Sequence, residues 1–335
     1  MAVSVQLAVA LFLLGLLTAL SGSEALVRGL LRLGLLLRLA AGLLGLLTAL
    51  GADAPEISSA FTALVSGSHE VGIGVILGSN AFNLAALLGV PALLGPRLEF
   101  SRPVPLVNGG VSLLVTVIAA ALLLGWLPSP LAVSLLGLVF AAYVVVLAAH
   151  PSRLRRLPVS SALKRPLVLL SMELHPQRLN EESLPGRPAW GPVWLMVPAV
   201  AAIVVGSFVM VSAALALGQR WAVPGSIVGA VALAATTSLP NAYAAIRLAF
   251  RREGATLISE AFNSNTLNLL FGLGLPAVVL TDIGQHSPRP LAMIAWLIGF
   301  SVLAMALPAA QRALSRPAGV ALLLAYLGFL ALAVR

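Results

Sequence analysis

GADAPEISSAFTALVSGSHEVGIGVILGSNAFNLAALLGVP at residues 51–91 and TTSLPNAYAAIRLAFRREGATLISEAFNSNTLNLLFGLGLP at residues 236–276 align without a gap, 185 positions apart. Pro55 matches Pro240, Ser79 matches Ser264, Asn80 and Asn83 match Asn265 and Asn268, and Gly89 and Pro91 match Gly274 and Pro276. Both copies lie in strongly apolar sequence, and both set polar residues beside a proline in mid-span. A membrane span carries such residues only where neighbouring groups satisfy them, usually around a cavity. Two such segments at matching positions in two halves point to the central site of a carrier for an ion or solute.

The flanking sequence agrees. Of 335 residues, 60% are apolar and 9% charged, and the mean hydropathy is +1.04. A water-soluble domain of this size does not tolerate so few charges, so the expected class is an all-α polytopic membrane protein. Without cysteine there is no disulfide framework and no thiolate metal site. Met1–Leu20 is apolar, and the first basic residue is Arg28, so this segment reads as a retained first span rather than a cleaved leader. The formal charge of +9 is spread as a topology signal rather than a nucleic-acid patch.

A span needs about 20 apolar residues. Ten are expected, at 3–21, 40–66, 70–95, 104–126, 130–149, 191–217, 222–249, 255–281, 290–309 and 317–334. Residues 22–39, with arginines at 28, 32 and 38, read as an amphipathic interfacial connector. With the N-terminus outside, 17 of the 20 Lys and Arg fall in inside segments, which predicts both termini outside. The domain reading is a first repeat at 1–149, a basic, solvated cytoplasmic linker at 150–190, and a second repeat at 191–335. Five spans per half is an odd number, so the two repeats are expected to be inverted in topology. The implied location is the plasma or inner membrane, with the lipid bilayer and the transported cations as partners.

Pro55 lacks an N–H and clashes with the carbonyl of Gly51, so a helix break or kink is expected between 51 and 55, with carbonyls freed for a cation. Pro240 repeats the break. Asp53 and Glu56 are three apart on nearly one helix face, with about 5 Å between Cβ atoms. Two carboxylates with freed carbonyls form a hard-oxygen site suited to Ca²⁺, Na⁺ or Mg²⁺. The competing reading is an interfacial turn with both acids in water, which the apolar flanks disfavour. Ser79 and Asn83 share a helix face, with Asn80 beside them. Alone that pattern reads as helix–helix glue, but its repeat as Ser264, Asn265 and Asn268 favours a site. In the second copy Thr237, Ser238 and Asn241 stand where the first has Ala52, Asp53 and Glu56, so the site is asymmetric. Glu260, one turn before Ser264, replaces Val75 of the first copy. It either restores the lost charge at a secondary position or is an interfacial acid near Arg251 and Arg252.

At these residues the chain resembles the calcium/cation antiporter superfamily, which includes the sodium/calcium exchangers. Gly51 to Glu56 follows the family's G-[TS]-[SA]-x-P-E motif, with Ala52 and Asp53 at the hydroxyl positions. Gly78 to Asn83 follows G-S-N-x-x-[ND] fully. In the second repeat Thr237, Ser238 and Pro240 match, Asn241 replaces the glutamate, and Asn263 replaces the glycine before Ser264. The resemblance implies ten helices as two inverted repeats, Ca²⁺ and Na⁺ bound alternately at Glu56, and further oxygens from Ser79, Asn83, Thr237, Ser238, Ser264 and Asn268. It implies Na⁺/Ca²⁺ exchange by alternating access, with no cofactor beyond the transported ions. H⁺/Ca²⁺ or K⁺-dependent exchange on the same fold is the alternative. An intramembrane aspartyl protease is remote, because that chemistry needs two aspartates sharing a proton and Asp53 is the only aspartate within a span.

Overall fold

In the computed structural model the described residues are 4–37, 39, 41–149, 151–156, 160–174, 191–280 and 289–334. Almost all of them are helical. The order is α1 (Val5–Leu36), α2 (Ala41–Val65), α3 (His69–Leu94), α4 (Pro103–Leu123), α5 (Ser129–Ala148), α6 (Ser161–Leu174), α7 (Met196–Arg220) and α8 (Gly225–Phe250). Then follow α9 (Gly254–Leu267, continued through Asn268–Gly274 to Leu275–Val279), α10 (Arg289–Gln311) and α11 (Arg316–Val334). The two-residue strands β1 (Leu98–Glu99) and β2 (Ala313–Leu314) pair antiparallel, tying the segment after α3 to the one before α11.

Among the described residues eight helices are long and apolar enough to cross a membrane. Of the ten expected spans, α2 and α9 fall outside that set. These two helices hold Asp53, Glu56, Glu260 and the asparagines of 263–268, whose polarity offsets the apolar residues around them. The chain is therefore a multi-pass membrane protein whose least apolar long helices carry these acids and asparagines.

The interfacial connector expected at 22–39 is not a separate element. α1 runs as one helix through Leu36, and Gly22, Ser23, Leu26, Gly29, Leu30 and Gly34 are buried along its second half. At 1.5 Å per residue its 32 residues span about 48 Å, well beyond the roughly 30 Å hydrocarbon core. It lies along α7, where Gly15 and Gly206 meet. A Cβ on either glycine would sit 2.6 Å from the carbonyl oxygen of the other, so only glycine permits this approach. Part of the linker also departs from its solvated reading. α6 buries Val168, Leu170 and Ser171 against the bundle, and the Ser171 hydroxyl donates to the Ala149 carbonyl. Positions 150, 157–159 and 175–190 of that linker lie outside the described residues.

Of the expected break or kink at each proline, an outright break is absent. Pro55 and Pro240 lie inside continuous helices. The Gly51 carbonyl released by Pro55 accepts a 2.8 Å hydrogen bond from the Ser23 hydroxyl of α1, so it is satisfied by protein rather than left for a cation. The irregular backbone falls elsewhere, in π-helical turns at Leu84–Gly89, Val228–Leu233 and Asn268–Gly274. Such turns carry an extra residue per turn, and they sit beside functional groups in many proteins.

Candidate functional site

Four helices converge on two acids. α2 supplies Asp53 and Glu56, α3 supplies Ser79, Asn80 and Asn83, α8 supplies Ser238 and Asn241, and α9 supplies Ser264, Asn265 and Asn268. All of these residues are buried, with Asp53 at 0% and Glu56 at 1% exposure. Ser238 Oγ donates to Glu56 Oε1 at 2.6 Å and Asn268 Nδ2 donates to Glu56 Oε2 at 2.6 Å. Asn241 Nδ2 donates to Asp53 Oδ1 at 2.7 Å, and the Ser264 hydroxyl donates to the same oxygen. Ser79 and Asn83 also face Glu56, and Asn83 Nδ2 donates to Ser264 Oγ at 3.1 Å. Ser238, Asn241, Ser264 and Asn268, the donors at 2.7 Å or less, come from the second half of the chain, and both carboxylates come from the first.

Asn80 and Asn265, equivalent residues of the two repeats, exchange hydrogen bonds. Asn80 Nδ2 donates to the Asn265 carbonyl at 3.4 Å, and Asn265 Nδ2 donates to the Asn80 carbonyl at 3.1 Å. These two residues hold α3 to α9. The Thr237 hydroxyl donates back to the Leu233 and Ala234 carbonyls of its own helix at 2.9 and 3.2 Å, as the Ser79 hydroxyl does to the Val75 and Ile76 carbonyls at 2.7 and 3.3 Å, and both hydroxyls keep their oxygen lone pairs.

The donors and acceptors around the acids do not balance. Asp53 Oδ2 and the side-chain oxygens of Asn80, Asn83, Asn241, Asn265 and Asn268 are buried without a hydrogen-bond partner. Every one is an acceptor, and a buried acceptor left unmet costs about 1–3 kcal/mol. A cation satisfies such oxygens together, and an all-oxygen set suits a hard ion rather than a thiophilic metal. The residues present thus fit a cation. Among the described residues no group of three His, Cys, Asp or Glu assembles, so the negative charge at the centre is that of one carboxylate pair.

Several participants carry no motif. Ser23 holds the Gly51 carbonyl, and Ser207 Oγ lies 3.4 Å from the Pro55 carbonyl. Behind α9, the Tyr143 hydroxyl of α5 meets the side-chain oxygens of Asn108 and Asn263, and Asn108 Nδ2 donates to Ser259 Oγ at 2.9 Å. The available signal was polarity inside an apolar span at Asn108 and Tyr143. Asn263, where the motif has glycine, is held by this network.

The model of the sodium/calcium exchanger protein family matches residues 7–149 and 191–335. The chain is 25% identical over 294 residues to the putative antiporter CaxA of Alkalimonas amylolytica, covering 84% of each protein. It is 27% identical over 237 residues to the inner membrane protein YrbG of Escherichia coli, covering 69% of this chain and 66% of that one. Human sodium/potassium/calcium exchanger 3 is 32% identical over 106 residues, only 16% of its own length. Among solved structures, the sodium-calcium exchanger NCX_Mj superimposes with a TM-score of 0.63 at 20% identity, covering 98% of this chain and 99% of that one. The H+/Ca2+ exchanger CAX superimposes with a TM-score of 0.72 at 18% identity, covering 97% and 82%. At these identities the structural likeness speaks for the fold.

Proposed function

This chain belongs to the sodium/calcium exchanger protein family, and from that premise we propose that it is a secondary cation antiporter exchanging Ca²⁺ for Na⁺ by alternating access. The observation that carries the reading is the set of six buried, partnerless oxygens around Asp53 and Glu56. Asp53 and Glu56 are the principal ligands in this reading. Ser79, Asn80, Asn83, Thr237, Ser238, Asn241, Ser264, Asn265 and Asn268 supply neutral oxygens. The chain is read as repeats 1–149 and 191–335 around the 150–190 linker, with ten crossings, inverted repeats and both termini outside. The two blocks of the family match support that division.

A second reading keeps the fold and exchanges H⁺, or adds K⁺. It is favoured by Asn241, which stands where the family motif has a glutamate and leaves the second half without a carboxylate on its proline-bearing helix. Calcium uptake into membrane vesicles separates the two. An outward sodium gradient is expected to drive uptake, and collapse of the proton gradient is expected to leave it intact. Uptake that follows the proton gradient and ignores sodium would establish the second reading and discard the first.

A further inference from the structure

Of residues 257–269 on α9, Glu260 is the only one not buried. It lies six residues into the helix, about 9 Å from its start. No hydrogen bond or ion pair reaches its carboxylate from any described residue, and Arg251 and Arg252 do not pair with it. This removes the interfacial ion pair as its explanation. The charges that act on it are of its own sign. Glu253 sits two turns toward the start of α9, and Asp53 lies inward, beside Ser264. Asp53 in turn feels Glu56. Four acids therefore run in file, Glu56, Asp53, Glu260 and Glu253, from the buried centre to the end of the bundle that carries Arg251, Arg252 and the linker helix. The first two are fully buried, and the last two are half-buried.

A carboxylate inside a membrane helix, with like charges on both sides and no donor, is costly unless a cation visits it. A second observation points the same way. Asp53 accepts both of its hydrogen bonds on Oδ1, which leaves Oδ2 partnerless although the residue is wholly buried. The side-chain oxygen of Asn241, which shares Asp53 through its nitrogen, is partnerless as well. We propose that Glu260 is a second cation station, one step from Asp53 toward the linker side, where an ion is held on its way to or from the central pair. The station rests on the antiporter reading above, and it gives that reading a sided path.

The test uses calcium-45 flux in right-side-out and inside-out vesicles carrying the full chain. Glu260→Gln is expected to raise half-saturating calcium at the linker-side face by about tenfold, equivalent to about 1.4 kcal/mol. Half-saturation at the opposite face is expected to stay within about twofold on the same scale. Glu260→Asp keeps the charge and is expected to retain near wild-type half-saturation on both faces, which separates loss of charge from loss of fold. The chain has no cysteine, so Glu260→Cys gives a second readout. A charged thiol reagent added from the linker side should label it, and calcium should slow the labelling. Unchanged half-saturation at the linker side, or labelling indifferent to calcium, overturns the station while wild-type exchange stands. Equal weakening at both faces would place Glu260 in the central site instead. Absence of any cation-driven calcium flux in the wild type would overturn the antiporter reading along with it.

Discussion

Glu56 accepts hydrogen bonds on both carboxylate oxygens and Asp53 on one, from Ser238, Asn241, Ser264 and Asn268 of the second half of the chain. Replacing either acid by its amide keeps the shape but puts an NH₂ among groups that already donate, and halves the charge available to a divalent ion. Glu56→Gln and Asp53→Asn should each reduce calcium flux by at least about 100-fold, equivalent to about 2.7 kcal/mol. Both variants should still elute as folded protein. Near wild-type flux in either one removes that residue from the ion's ligands. Tyr143 gives a stability prediction. Tyr143→Phe strips the hydroxyl from the Asn108 and Asn263 oxygens and leaves buried acceptors unmet, so it should cost about 1–3 kcal/mol. An unchanged thermal midpoint would mean that the network contributes nothing. At this scale the buried polar cluster was legible, because Asp53, Glu56, Ser79, Asn83 and their repeats are polar residues in apolar text. Tyr143 and Ser23 were not, since their roles depend on helices brought together from far along the chain.

Among elements, the prolines are instructive because they misled. Pro55 and Gly51 together read as a break, yet α2 is unbroken because α1 lies against it and Ser23 takes the released carbonyl. Local chemistry predicts the loss of a hydrogen bond, and only tertiary packing says what replaces it. The π-helical turns were invisible for the same reason, as nothing in LAALLG or VGAVAL requires an extra residue per turn. One of them, Val228–Leu233 in α8, packs on α3. There a Cβ on Gly78 would stand 2.5 Å from the backbone of Ala230. Gly78→Ala must therefore push α3 and α8 apart beside Ser79 and Asn80. Overpacking of this kind costs about 1–3 kcal/mol. Gly45→Ala is the control, since nothing lies within 4 Å of its added Cβ. It should be neutral or stabilising by up to about 1 kcal/mol, from helix propensity. Equal thermal midpoints for the two variants would show that the α3–α8 contact is not tight.

For the whole molecule, the repeat offset of 185 residues, the apolar composition and the basic segments carried the fold class, and the polytopic helical architecture follows from them. Orientation rests on charge alone. Basic residues near span ends resist translocation, so the expected split of 17 of 20 Lys and Arg to one side is the ground for proposing that side as the cytoplasmic one. Ser160, at the start of α6, is exposed, while Leu170 further along is buried in the bundle. The helix therefore lies on one end of the bundle with its N-terminus in solvent. Ser160→Cys provides the one thiol in an otherwise cysteine-free chain. An impermeant thiol reagent should leave it unlabelled in intact cells and label it in inverted vesicles. Labelling in intact cells would reverse the orientation. It would also move the Glu260 end of the acid file to the outer face, so the sided flux change expected for Glu260→Gln would appear at the opposite membrane surface. The topology experiment thus fixes which face the station serves, and the two measurements must agree.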